Sequence, residues 1–139
     1  MPTLNRKPPP HMGRIHTFVN VTNARDESKT MRINALVDTG ASHLVLPSAW
    51  KDQLGEMELM DSLELETATQ SLIKGEVYGP VRLQIDGFNP VHSDVLFIDM
   101  EPADGLYEPL VGYIPLEQSG AAVDMLGHRL LHVKHFDLK

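Results

Sequence analysis

From Ile15 onward, apolar residues recur mostly at every second position, the period of a half-buried strand. Ile15, Val19 and Val21 fall on one face of a first strand, and Met31, Ile33, Ala35 and Val37 on one face of a second. Asn23 to Lys29 between them is polar turn material, so the pair predicts a hairpin. "SHLVLP" predicts a third short strand, and "PSAWKDQLG" a helical turn with Ser48 as N-cap and Gly55 at its end. Alternation then returns. Leu59, Leu63 and Leu65 mark one extended segment, Ile73 and Val77 the next, and Val81, Leu83 and Ile85 a third that the turn "DGFNP" ends. "DVLFI" is apolar on both faces, which predicts a central strand. A loop from Met100 to Pro109 leads into "LVG", a short helical segment "YIPLEQSG" and a final hairpin, "AAVDMLGHRLLHV", turning near Leu126 to His128. The pattern predicts an all-β domain with one or two short helices.

Composition narrows the function classes. The 139 residues suit one ordinary domain. Residues 1–12 contain a Pro triplet and no apolar period, so an extended arm is expected there, with the domain over 13–139. No apolar run reaches the ~18 residues of a membrane helix, and no membrane partner is expected. With a net charge of -7 and 12 scattered Lys and Arg, the chain lacks the basic patch that nucleic acid requires. It has no cysteine, hence no disulfide or thiolate chemistry, and no signal-peptide core at its start, so a cytoplasmic setting is expected.

One stretch carries chemistry. In "INALVDTGASHLVLP" an acid, a hydroxyl and a glycine stand between two strand-forming runs. A lone carboxylate there is costly unless it is paired, hydrogen-bonded or shares a proton. Gly40 permits a tight loop and a close approach, and Thr39 supplies a donor and an acceptor in a small branched shape.

"ALVDTGASHLVLP" resembles the catalytic loop of the aspartic proteases, and "EPLVGYIPLEQSGAAVDM" resembles the second retroviral-type signature: two apolar residues and a Gly, then a short helix, a Gly and a returning strand. The resemblance runs from about Gly13 to Val133. It is to retropepsin-like aspartic proteases, nearest the small microbial members with one motif per chain. It implies a retropepsin-like closed barrel that supplies half a site per chain. Asp38 would be catalytic, Thr39 and Gly40 would support its loop, and Leu110, Val111 and Gly112 would form the second signature. Peptide would bind at Ala41 and Ser42 and under a β-hairpin flap with its tip at Thr67, Ala68, Thr69, Gln70 and Ser71. No cofactor is implied. The tip departs from the glycine-rich tips of retroviral enzymes, with no glycine until Gly75, and Tyr113 stands where many of them have Arg.

The chemistry needs two carboxylates, because water must lose a proton while the scissile carbonyl oxygen gains one. Asp86-Gly87 and Asp104-Gly105 lack the middle hydroxyl and read as turns, and Asp124 has no following Gly and reads as a turn-flanking or exposed acid. Asp38 is therefore expected to meet its own copy across the twofold axis of a homodimer. By analogy with retroviral enzymes, the interface would use the Thr39 loop, the flap tip and the segments near Arg14 and Leu131. The expected function is cleavage of peptide bonds in a peptide or protein substrate. The alternative is a non-catalytic retropepsin-fold peptide-binding or dimerisation module, which would have no need for the costly Asp38.

Other constellations point elsewhere only weakly. His128, His132 and His135 have helical metal-face spacing, but they lie in turn and strand material, where His135 points away from His132, and no metal is expected. Ser42-His43 near Asp38 has the cast of a serine triad without the nucleophile elbow. Trp50 reads as a packing residue.

Overall fold

The computed structural model describes residues 14–66 and 69–133; the N-terminal arm, His135, Thr67 and Ala68 lie outside them. The strands are β1 (His16–Asn23), β2 (Asp26–Val37), β3 (Leu44–Pro47), β4 (Glu58–Glu66), β5 (Leu72–Ile85), β6 (Val91–Ile98), β7 (Leu110–Val111), β8 (Ala121–Asp124) and β9 (Arg129–His132). A 3₁₀ turn (Ser48–Leu54) follows β3, and helix α1 (Tyr113–Ser119) follows β7.

The main sheet runs β1-β2-β7-β3-β6-β5-β4. A further antiparallel pairing, Val19 to Asn23 against Val81 to Ile85, joins β1 to β5. The run from β1 to β5 is thus closed on itself, and β4 hangs outside the ring on β5 alone. Closure follows from the long alternation of β5, in which Gly75, Val77, Gly79, Val81, Leu83 and Ile85 are all buried. One strand this long can pair β4 near its start and β1 near its end. The two segments expected at 73–77 and 81–85 are therefore a single strand. A register shift between Tyr78 and Val81, at Gly79-Pro80, lets it continue without changing which face is buried.

Inside the ring, Val19, Val21, Ile33, Ala35, Leu44, Leu46, Leu83, Ile85, Val95, Phe97 and Val111 form the core. The odd-numbered residues of β1 and β2 point inward, as their alternation requires. β3 and β6 are buried on both faces, in keeping with their central places. The 3₁₀ turn begins one step earlier than expected. β3 stays paired to Ile98 through Pro47, so Pro47 occupies the N-cap with extended backbone (φ -65, ψ 140), and Ser48 is already helical and caps nothing. Gly55 ends the turn at φ 71, as expected.

Buried Asn23 ties this turn to the barrel. Its amide donates to the carbonyls of Leu54 and Glu56, both at 2.8 Å, and its Oδ1 accepts from Arg25 N–H at 2.9 Å. Asn23→Ala leaves these groups without their partner and is expected to cost about 2–3 kcal/mol, read as a lower denaturant midpoint at unchanged slope.

Several surface carboxylates are held below the usual range. The Arg32 guanidinium, bonded to both oxygens at 3.0 and 2.6 Å, lowers Asp86. The Gly127 N–H and then Arg129 lower Asp124. The Ser28 hydroxyl and then its N–H lower Asp26. A depressed folded pKa stabilises above the unfolded value of about 4, and that contribution is lost as pH falls through the lower folded value. These groups should therefore leave the melting temperature level from pH 7 down to about 5, with the decline setting in below about 4. Melts of wild type and Asp86→Asn across that range check this, with a shallower acid decline expected in the variant.

Candidate active site

β7 is the wedge on which the site is built. It lies between β2, to which it is parallel, and β3, to which it is antiparallel. Leu36 N–H donates to Pro109 O at 2.8 Å and Asp38 N–H to Val111 O at 3.0 Å. The chain from Asp38 to His43 then arches over the end of β7. Gly112 N–H donates to His43 O at 2.9 Å, Tyr113 N–H to Ala41 O at 2.9 Å and Ile114 N–H to Ser42 O at 3.1 Å. "DTGASH" and "LVGYI" are thus laced together backbone to backbone.

Gly112 makes the lacing possible. A Cβ there would lie 2.5 Å from Ala41 O and 2.6 Å from His43 O, both backbone atoms that cannot swing aside. Gly112→Ala is expected to destabilise the fold by about 3 kcal/mol, seen in denaturant titration, and to displace the Asp38 loop.

Asp38 sits half-buried at the mouth of the arch. Its Oδ1 accepts from Gly40 N–H at 2.9 Å, and its own carbonyl accepts from Ala41 N–H at 3.1 Å. The backbone therefore orients one carboxylate oxygen, and the other accepts no hydrogen bond among the described residues. A Cβ on Gly40 would stand 3.1 Å from Oδ1, so glycine serves here by allowing close approach. Thr39 is exposed, and its hydroxyl makes no hydrogen bond among the described residues. Ala41 N–H is committed within the loop, and Ala41 O and Ser42 O to the first residues of α1, whereas no described hydrogen bond uses Ser42 N–H. The Ser42 hydroxyl lies 2.8 Å from His43 Nδ1.

β4 and β5 form the long hairpin expected of a flap, paired from Glu58↔Gly79 to Glu66↔Leu72. Of its tip, Thr69, Gln70 and Ser71 are described; all are exposed, and Gln70 has a left-handed φ of 65. The hairpin's inward residues Leu63 and Leu65 pack with Val45, Val77 and Leu96 into a second apolar cluster outside the barrel core, which Ala41, Ile98, Met100 and Leu110 join. The Asp38 loop and the second signature both border this apolar wall, through Ala41 and Leu110. Sequence reasoning did not name it as part of the site. The signal was present in the two-faced burial of "LVLP" and "DVLFI": inward residues fill the barrel, and the outward ones, Val45 and Leu96, needed a second cover.

The remaining candidates are dispersed. Asp86 and Asp104 sit in turns, with Ala103 and Leu106 exchanging hydrogen bonds around Asp104-Gly105. Asp124 flanks the β8–β9 turn and accepts from Leu126 N–H, Gly127 N–H and Arg129. His132 stacks on Phe88 with ring centroids 4.3 Å apart. Among the described residues no three His, Asp or Glu side chains gather as a metal site. Trp50 packs against the core and meets Tyr107 edge-on at 5.8 Å.

No protein-family model matches the chain, and no curated protein matches it in sequence. Among solved structures it is similar to EIAV protease in complex with an inhibitor, with a TM-score of 0.57 and 19% identity over 89% of this chain and 98% of that one. At that identity the likeness is one of fold, and it spans nearly the whole of the neighbour. The chain has a mainly β, retropepsin-like fold.

Proposed function

We propose that the chain is an aspartic endopeptidase that works as a homodimer. The carrying observation is the Asp38-Thr39-Gly40 loop, held on Gly112 with one carboxylate oxygen fixed by Gly40 N–H and with the Thr39 hydroxyl exposed and unpaired among the described residues. A twofold axis beside Thr39 would bring two Asp38 carboxylates together, and each Thr39 would hydrogen-bond the opposite loop. Two like charges in contact share one proton. The ionised carboxylate then takes a proton from water while the protonated one gives its proton to the scissile carbonyl oxygen. The half-buried apolar residues at the edge of the apolar wall, Leu63, Leu65, Ile98 and Leu110, suit an apolar substrate side chain, with the flap and the Ala41-Ser42 segment holding an extended peptide between them.

The second copy has a further surface to meet. Among the described residues the β8–β9 hairpin pairs with no other strand, and it exposes Met125, Leu126, Leu131 and Val133, with Leu126 98% exposed. An isolated two-stranded sheet is marginal in water, and pairing with its copy would extend it.

The test is cleavage of an unfolded peptide library from pH 3 to 8 by purified chain, with Asp38→Asn in parallel. Activity should fall on both sides of a single optimum, because the doubly protonated pair has no base and the doubly ionised pair has no acid. A peptide analogue with a hydroxyl in place of the scissile carbonyl should inhibit competitively. Absence of cleavage at every pH, with peptide binding retained, would make this a non-catalytic binding module instead.

A further inference from the structure

Strand register sets a row of side chains along the outer face of the barrel: His16 on β1, Leu36 on β2, Leu110 on β7, Val45 on β3, Leu96 on β6 and Val77 on β5, each opposite the next. Residues paired in this way stand on one face of the sheet. Leu63 and Leu65 of the β4–β5 hairpin cover the end made by Val45, Leu96 and Val77, where the row is buried. Past Leu110 the row leaves this cluster, and half-buried Leu36 joins neither apolar cluster. Beyond Leu36 the row meets charge. Glu108 Oε2 accepts from the Arg14 guanidinium and lies 3.4 Å from His16 Nε2, and all three residues are exposed. The row also runs close to Asp38. Asp38 N–H bonds Val111 O as Leu36 N–H bonds Pro109 O, so the alternation of β2 continues past its end and sets the Asp38 side chain on the Leu36 face, about 7 Å further along.

We propose that Arg14 and Glu108 are specificity-determining residues, closing a subsite floored by Leu36 and Leu110 that takes a substrate side chain with an apolar body and an uncharged hydrogen-bonding tip, as in tyrosine. This rests on the endopeptidase reading and names the substrate class within it. An extended peptide with its scissile bond at Asp38 turns alternate side chains toward the sheet, over this row. From Leu110 to His16 the row crosses two strand spacings, about 10 Å, which suits an aromatic ring lying across the two leucines. The ring gains by covering apolar surface that the hairpin leaves open. The tip decides the rest. A carboxylate has about four acceptor positions, so Glu108 can take an O–H while it holds Arg14. An apolar tip would strip water from the ion pair and return no hydrogen bond, which is costly. A charged tip would gain one partner and meet its like charge in the other, because Arg14 and Glu108 are in contact. An uncharged donor avoids both losses.

The subsite is read by binding, in Asp38→Asn, so that no turnover is needed. The full chain carrying that substitution is exposed to a random peptide library, and the captured peptides are sequenced. One peptide position should favour Tyr over Phe by about three- to tenfold, the worth of one hydrogen bond, and should disfavour Lys and Glu. Adding Arg14→Gln leaves the Glu108 carboxylate without its cation and should shift that position toward Lys and Arg by about fivefold, the upper range for an exposed ion pair. Adding Glu108→Gln should shift the same position toward Asp and Glu by a similar factor, with the other positions unchanged. A pair that only braces the fold would move every position together or none, and never in opposite senses. Capture of no peptide, no position favouring Tyr, or two variants that fail to shift one position in opposite directions would each overturn the proposal. So would an unchanged profile with a raised dimer dissociation constant in both variants, seen by sedimentation, which would assign the pair to the second copy instead. Wild type that binds the captured peptides and cleaves none of them would overturn the endopeptidase reading and leave the subsite standing.

Discussion

Asp38→Asn is expected to lower peptide cleavage by about a thousandfold or more at every pH, with the fold retained. The loss is large because the substitution removes both the base that deprotonates water and the shared proton that its partner donates, and general acid–base assistance alone is worth roughly 10²–10⁴-fold. The fold should survive for a local reason. Among the described residues the one bond that the side chain makes is acceptance from Gly40 N–H at 2.9 Å, and an asparagine carbonyl oxygen can accept it equally well. Repulsion between like charges also disappears, so the variant should dimerise at least as tightly as wild type. Circular dichroism and a thermal melt beside the kinetic assay separate the two effects. Substantial turnover in a folded Asp38→Asn would remove the aspartic mechanism altogether.

Gly40 and Gly112 show how the arrangement was legible in advance and where legibility stopped. The residue types "DTG" and "LVG" marked two loops, and their resemblance to a known pair of signatures placed them together; the backbone lacing that holds them is long-range and leaves no periodic trace. Alternation predicted the barrel strands well because burial on one face imposes a period of two. It divided β5 at Gly79-Pro80, since a Pro inside a strand pattern reads as an interruption, whereas the shift there preserves the parity from Gly75 to Ile85. Ser48 looked like an N-cap by residue type, but pairing of β3 through Pro47 moved the start of the turn. The apolar wall under the β4–β5 hairpin was harder still to read. Leu63 and Leu65 appear as ordinary strand residues, and only the tertiary placement of β4 outside the ring shows that they cover Val45 and Leu96 rather than the core. The Ser42–His43 contact joins neighbours in sequence, yet which way each side chain turns depends on the arch over Gly112.

On the proposed homodimeric mechanism, dilution should abolish activity per chain once the concentration falls below the dimer dissociation constant, because each chain would hold one half of the site. The three acids considered as partners within the chain support this. Asp86 is engaged with Arg32, Asp124 with the turn it flanks, and Asp104 lies in a turn on the loop before β7, so none is placed beside the Asp38 carboxylate. A wild-type chain mixed with a ninefold excess of Asp38→Asn should keep only about one tenth of its activity, since about nine in ten of its partners would then lack the acid. Thr39→Ala should weaken the dimer as well. If the exposed Thr39 hydroxyl of each chain bonds the opposite loop, two bonds of about 0.5–1.5 kcal/mol are lost, and the dissociation constant should rise between about fivefold and about a hundredfold. Sedimentation and activity followed on one dilution series distinguish this from local damage: Thr39→Ala should recover activity at high concentration, whereas a defect confined to the catalytic loop would not respond to concentration. A chain that sediments as a monomer and stays fully active at every dilution would require the second acid to lie within the same chain, and the pairing of two Asp38 loops would be wrong.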